Sequence, residues 1–153
     1  MIEDNNNFRK LDEILSRLLV SAYKIEEKAV QKISDNGLTI SEIHVLKEIP
    51  GERPKTMSMV ADGLRISVGA LTTAIDKLSK KGYVKRFRGK TDKRTMKVML
   101  TPKGKQAYKG HDDFHKGLVE AATEGLDKKE KELLLNSLIR IDNFFEEESI
   151  KWK

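Results

Sequence analysis

The sequence predicts a mainly α fold with one small β-hairpin, and three observations carry that prediction. Residues 56–104 read as helix, turn, helix and charged hairpin with almost nothing between them. Positive charge gathers in the hairpin: from Lys80 to Lys105 eleven Lys and Arg accompany the single acid Asp92, although the whole chain of 153 residues carries only +6. Long segments of helical apolar spacing flank this centre on both sides. The order of elements is that of a winged helix-turn-helix, which needs only about half of a chain this long, so the flanking helices must serve another purpose.

The first helix is predicted over residues 8–35. Leu11, Leu15, Leu18, Ala22, Ile25 and Ala29 are spaced alternately by four and three, a coiled-coil-like seam of roughly 40 Å at 1.5 Å per residue. Asn36 and Gly37 stop it. Thr39 opens a second helix with Glu42 three residues on, the spacing of a capping box, and Ile40, Ile43, Leu46 and Ile49, with Val45 beside them, give it a face to bury. Residues 50–54 contain two prolines and a glycine and form a loop.

Thr56 caps a third helix carrying Met57, Val60, Ala61 and Leu64, and Gly63 ends or bends it. The turn Leu64-Arg65-Ile66 leads to Ser67, a second cap, after which Leu71, Ala74, Ile75 and Leu78 mark the buried face of a fourth helix. Lys80 and Lys81 complement its dipole, with Gly82 as the left-handed residue that closes it. Residues 83–88 and 95–100 alternate partially and read as two strands of a hairpin too charged to be a core element. Pro102 starts a fifth helix running to about Glu124. Gly125 breaks it, Asp127 caps the last helix, and Leu134, Leu138, Ile141 and Phe145 form a second seam towards Trp152.

Chemistry points to DNA. Ser67, Val68 and Gly69 stand at the start of the fourth helix, where free N–H groups attract phosphate. Thr72, Thr73, Asp76 and Lys77 follow on its outward face, small and polar enough to enter a major groove. Asp76 repels phosphate unless a neighbouring base, Lys77 or Lys80 offsets it. Arg88, Lys90 and Lys93 put a basic hairpin along the DNA backbone, with an Arg reaching the minor groove. Gly89-Lys90-Thr91 ends like a phosphate-loop signature, but the leading glycine is replaced by Val84, so no triphosphate site is expected.

Other classes find little support. No GxSxG, HExxH or paired-Cys motif is present, so no enzyme and no cofactor are expected. The absence of Cys excludes disulfides and thiol sensing. No apolar run reaches the ~20 residues of a membrane span, residues 1–10 do not read as a targeting segment, and a cytoplasmic location is expected. His111 and His115, four apart with Asp112 and Asp113 between them, have a spacing that suits zinc. With His44 far away in sequence no complete ligand set is visible, and ordinary surface histidines are favoured.

Ile66-Ser67-Val68-Gly69, Leu71-Thr72, Lys81-Gly82-Tyr83-Val84, Asp92-Lys93-Arg94, Leu100-Thr101 and Gly104 resemble the signature of the MarR family of transcriptional regulators. The resemblance implies that Arg94 enters the minor groove and that Asp92 orients it. It further implies one MarR-like domain with 38–100 as the DNA-binding lobe, and a homodimer, built from 1–37 and 101–153, that binds a pseudo-palindromic operator and answers to a small ligand. A narrower likeness, carried by His111, Phe114-His115-Lys116, Val119-Glu120 and Gly125-Leu126, is to the fatty-acid-biosynthesis repressors of that family. That likeness implies a long acyl chain on acyl carrier protein as the effector that strengthens DNA binding. Leu18, Ile43, His44, Phe114 and Leu118 would then line a tunnel between the first, second and fifth helices. Zinc, small aromatic compounds, and a binder with no ligand response stay open as alternatives.

Overall fold

The computed structural model describes residues 2–34, 37–49, 51, 53–89 and 95–151. Six helices and three short strands follow in order: α1 (Ile2–Ile33), α2 (Ile40–Glu48), β1 (Lys55–Thr56), α3 (Met57–Gly63), α4 (Val68–Lys80), β2 (Val84–Arg88), β3 (Met96–Leu100), α5 (Pro102–Ala122) and α6 (Lys128–Lys151). The chain divides into two compact units, one ending at Phe114 and the other running from His115 to Lys153.

In the first unit the helices start where local chemistry places them. Thr39 accepts a hydrogen bond from the Glu42 N–H at 3.2 Å, while the Glu42 carboxylate accepts from the Thr39 N–H at 2.9 Å, completing the capping box. Thr56 caps α3 through the Met59 N–H at 3.2 Å and Ser67 caps α4 through the Ala70 N–H at 3.1 Å. Each cap contributes about 1 kcal/mol. At the far end of α4, Gly82 takes φ = +81°, a left-handed conformation that only glycine adopts without strain.

Apolar periodicity then decides the packing. Ile43, Leu46 and Ile49 meet Val60, Leu71, Ile75 and Leu78 in one core, joined by Val30 from the end of α1. Fully burying Leu71, Ile75 and Leu78 stabilises by about 1.5–3 kcal/mol each. The expectation that the hairpin lies outside the core needs correction. Tyr83, Val84, Val98 and Leu100 are all buried in that same cluster, because the inward-facing positions at the base of β2 and β3 are apolar and only the outer residues carry the charge. Thr101 donates its N–H to the Tyr83 carbonyl at 3.0 Å, and Gly104 passes so close that a Cβ there would lie 2.1 Å from the same oxygen. No other residue fits at 104 without moving the backbone.

Two further differences from the sequence reading have simple causes. The two-residue strand β1 pairs antiparallel with β3, Lys55 opposite Val98, and gives a sheet of order β1-β3-β2. Two residues have no periodicity from which to read a strand. Helix α1 starts at Ile2 rather than Phe8 and ends at Ile33. Asparagine costs at most about 0.7 kcal/mol per residue in a helix, too little to stop one that is already propagating. Only the end of α1 is buried, at Ala29 and Val30. Phe8, Leu11, Leu15, Leu18 and Ile25 are exposed.

In the second unit α5 ends at Ala122, slightly before the expected Glu124. Asp127 and Glu130 cap α6 reciprocally, the Glu130 N–H reaching the Asp127 carboxylate at 2.9 Å and the Asp127 N–H reaching that of Glu130 at 2.8 Å. Every side chain from Lys128 to Glu147 is exposed, including Leu134, Leu138, Ile141 and Phe145 of the predicted seam.

Candidate DNA-binding surface

Helix α4 presents two faces of opposite character. Its buried face is fixed by the core, and its outward face carries Ser67, Val68, Gly69, Thr73 and Lys77, all exposed. Thr72 is half-buried, and its hydroxyl donates to the Val68 carbonyl at 2.8 Å, as that of Thr73 does to Gly69 at 3.4 Å. Their protons are engaged within the helix, so their lone pairs are left to accept from a base amino group. Met59, Ile66 and Val68 add exposed apolar side chains around the start of α4, of the type that meets a thymine methyl. Met59 was not singled out in the sequence, and Ile66 was named there only in the turn and in the family signature.

Asp76 is offset differently from expectation. Its carboxylate pairs with the guanidinium of Arg86 on β2, not with Lys77 or Lys80. A residue ten positions away on another element is invisible to helical spacing. The pair links the reading helix to the base of the wing, where Arg86 stands opposite Val98 and Arg88 opposite Met96. Arg88 is exposed. Lys90, Asp92, Lys93 and Arg94 lie outside the described residues, and the last described rung of the hairpin is the Gly89 N–H donating to the Thr95 carbonyl at 2.9 Å.

The frame behind this surface is held by a second ion pair. Lys81, assigned by sequence to the helix dipole, instead reaches Glu42 at 2.7 and 2.9 Å and the Gly37 carbonyl at 2.9 Å. Burial raises the Glu42 carboxyl, but the hydrogen bonds from Lys81 and Thr39 outweigh it and hold the group below the usual carboxylate range.

Behind α2 one carboxylate serves two histidines. The same oxygen of Glu26 lies 2.9 Å from His44 Nε2 and 3.0 Å from His111 Nε2, with the two imidazole rings 6.0 Å apart. His111 is fully buried, its ring 6.3 Å from that of Phe114. Burial pushes the Glu26 carboxyl up, yet the hydrogen bonds from His111 and His44 prevail and keep it low. His115 belongs to the second unit. Of the remaining residues expected around an acyl tunnel, Leu18 is 58 % exposed on α1 and Ile43 is fully buried in the core, while Leu118 is half-buried in the second unit. A groove of about 430 Å³ opens between α2 and α4, lined among others by Val45, Ile66, Ala74 and Lys77. His44 is its one member from that expected set.

A capped helix with a polar and cationic outer face, beside a basic hairpin on a shared core, defines a DNA-binding transcription regulator of the winged helix-turn-helix class. The MarR family profile matches residues 38–96. In fold the chain is similar to Streptococcus pneumoniae FabT in complex with DNA, with a TM-score of 0.82 and 29 % identity over 92 % of this chain and 98 % of that one. The HTH-type transcriptional regulator YkoM of Bacillus subtilis is 26 % identical over 122 residues, 79 % of each chain. SarZ of Staphylococcus saprophyticus is 34 % identical over 86 residues, 56 % of this chain and 59 % of its own. The MarR match is thus confined to residues 38–96, and the chain as a whole has the winged helix-turn-helix fold of a DNA-binding transcription regulator.

Proposed function

We propose that the protein is a cytoplasmic homodimeric repressor that binds a pseudo-palindromic operator, its two α4 helices entering successive major grooves about 10 base pairs apart. The observation that carries this reading is the pairing of a fully formed reading helix with apolar faces on α1 and α6 left in solvent. The lobe at 38–100 reads the DNA and the helices at 1–37 and 101–153 join the copies. In the wing, Arg94 oriented by Asp92 reaches the minor groove while Lys90 and Lys93 follow the phosphates.

The regulated genes are those of fatty-acid synthesis, and a long acyl chain on acyl carrier protein is the effector that tightens operator binding. The resemblance of the residues from His111 to Leu126 to the fatty-acid-biosynthesis repressors supports this, together with the similarity in fold to FabT in complex with DNA. Leu18, Ile43, His44, Phe114 and Leu118 are then the residues to test for acyl contact. The deciding experiment is operator binding to fatty-acid synthesis promoters with and without long-chain acyl carrier protein. Tighter binding in the acyl form is expected, and indifference to it overturns the lipid reading.

The Glu26, His44 and His111 cluster favours a second reading, a regulator that senses zinc. Two imidazole nitrogens converging on one carboxylate oxygen offer nitrogen and oxygen donors of the kind zinc takes, and His115 is the sequence's further donor. Zinc changing operator affinity in the wild type but not in Glu26→Gln is the result that selects this reading over the lipid one.

A further inference from the structure

The wing leaves the core along β3, where Leu100 and Val98 are buried but Lys97 and Met96 are half-buried. At that point β3 is paired on both sides, Val98 with Arg86 and Lys55, and Lys97 with Phe87 and Thr56. One rung further out, Met96 has only Arg88 of β2 beside it among the described residues. Strand β1 is thus the last brace between the helices and the wing, and two residues are too few to hold by their ladder alone. An ion pair holds them. Lys55 Nζ donates to the carboxylate of Glu48, the last residue of α2, at 2.6 Å, with both side chains half-buried. The same carboxylate lies over Gly63, the last residue of α3: a Cβ there would stand 2.3 Å from Glu48 Oε1 and 2.5 Å from Cδ. Glycine in a helix costs stability relative to alanine, and here the missing methyl leaves room for the carboxylate. One side chain therefore joins α2, β1 and the end of the helix that leads into α4.

We infer that Glu48 is a positioning residue for DNA binding: by holding Lys55 across Gly63 it sets where the wing stands relative to α4. Reading helix and wing meet neighbouring grooves of one duplex, so their separation has to match that of the grooves. An error in it costs the minor-groove contact and leaves the major-groove contact in place. The inference rests on the wing contacting the minor groove, as proposed above.

The test compares Glu48→Gln and Gly63→Ala in the full chain, each alone and combined with Arg94→Ala. Glu48→Gln breaks the pair and adds one positive charge, which by itself would tighten DNA binding. Gly63→Ala displaces the end of the Glu48 side chain with no change in charge. Both are expected to bind operator about 5-fold more weakly and to lose hydroxyl-radical protection in the minor groove beside each half-site, while methylation protection in the major groove stays. Gly63→Ala should melt within about 3 °C of wild type, because a better helix former offsets the weakened pair. In the Arg94→Ala background neither change lowers affinity further. Wild-type or tighter binding in either single variant, or losses that add to that of Arg94→Ala, overturn the inference. If Arg94→Ala itself binds as wild type, it is the wing reading that has failed, and the positioning role falls with it.

Discussion

Helices α4 and α6 carry similar apolar spacing and meet opposite fates. In α4, Leu71, Ile75 and Leu78 are wholly buried within their own unit, whereas in α6 Leu134, Leu138, Ile141 and Phe145 remain in solvent. Spacing alone therefore identifies a helix face that must be covered without saying what covers it. The apolar face of thirteen-residue α4, seated on α2, α3 and the wing base, finds cover inside the chain, whereas that of α6, within the C-terminal unit, is exposed from Lys128 to Glu147. A contiguous apolar stripe of that length on a DNA-binding protein fits a second copy of the chain.

The sharpest break of this comparison is Leu138→Asp on α6. It should leave folded monomers by size-exclusion chromatography with light scattering, and lower operator affinity by about 10²-fold or more through lost bivalence. A dimer that survives with full affinity contradicts the assignment of α6. Ile75→Ala on α4 should do the converse, costing about 2–5 kcal/mol in denaturant unfolding while the surviving folded protein still dimerises. Asp76→Asn removes the acid that offsets Arg86. It should strengthen binding to random DNA by several fold and steepen the salt slope, so that the ratio of operator to non-operator affinity falls; an unchanged ratio means that Asp76 has no part in discrimination.

The smallest effect concerns the frame behind α4. Because Glu42 is held below the ordinary carboxylate range, its stabilisation is fully present above that range and is lost as pH falls through the lowered value. Glu42→Gln should cost about 1 kcal/mol at neutral pH and flatten the acid limb of stability against pH. An acid limb as steep as that of wild type would show that the pair with Lys81 is not its source.

What could be read from sequence follows the same division between local and distant causes. The caps at Thr39, Thr56 and Ser67 and the buried face of α4 were legible, since each depends on residues within four positions of one another. Three features were not: strand β1, the burial of Tyr83 and Val84, and the pairing of Asp76 with Arg86. Each is created by a partner from another element. The shared carboxylate of Glu26 shows this most clearly, because His44 and His111 stand far apart in sequence and only the fold brings them onto one oxygen. On the candidate DNA surface, the outward residues of α4 were named from their spacing, whereas Met59 emerged only from its exposure.

The Lys81 clamp on Glu42 and Gly37 has a consequence for how such a protein can change over time. It immobilises the end of α4 and the start of α2 using groups on the inner side of the helix, so the order needed for reading is already present before DNA arrives. The outward residues proposed to meet bases share almost nothing with those that hold the helix. Substitutions at Val68, Thr73 or Lys77 can thus retune the preferred operator with little loss of folding stability, and new gene sets become reachable through single changes on a scaffold that stays the same.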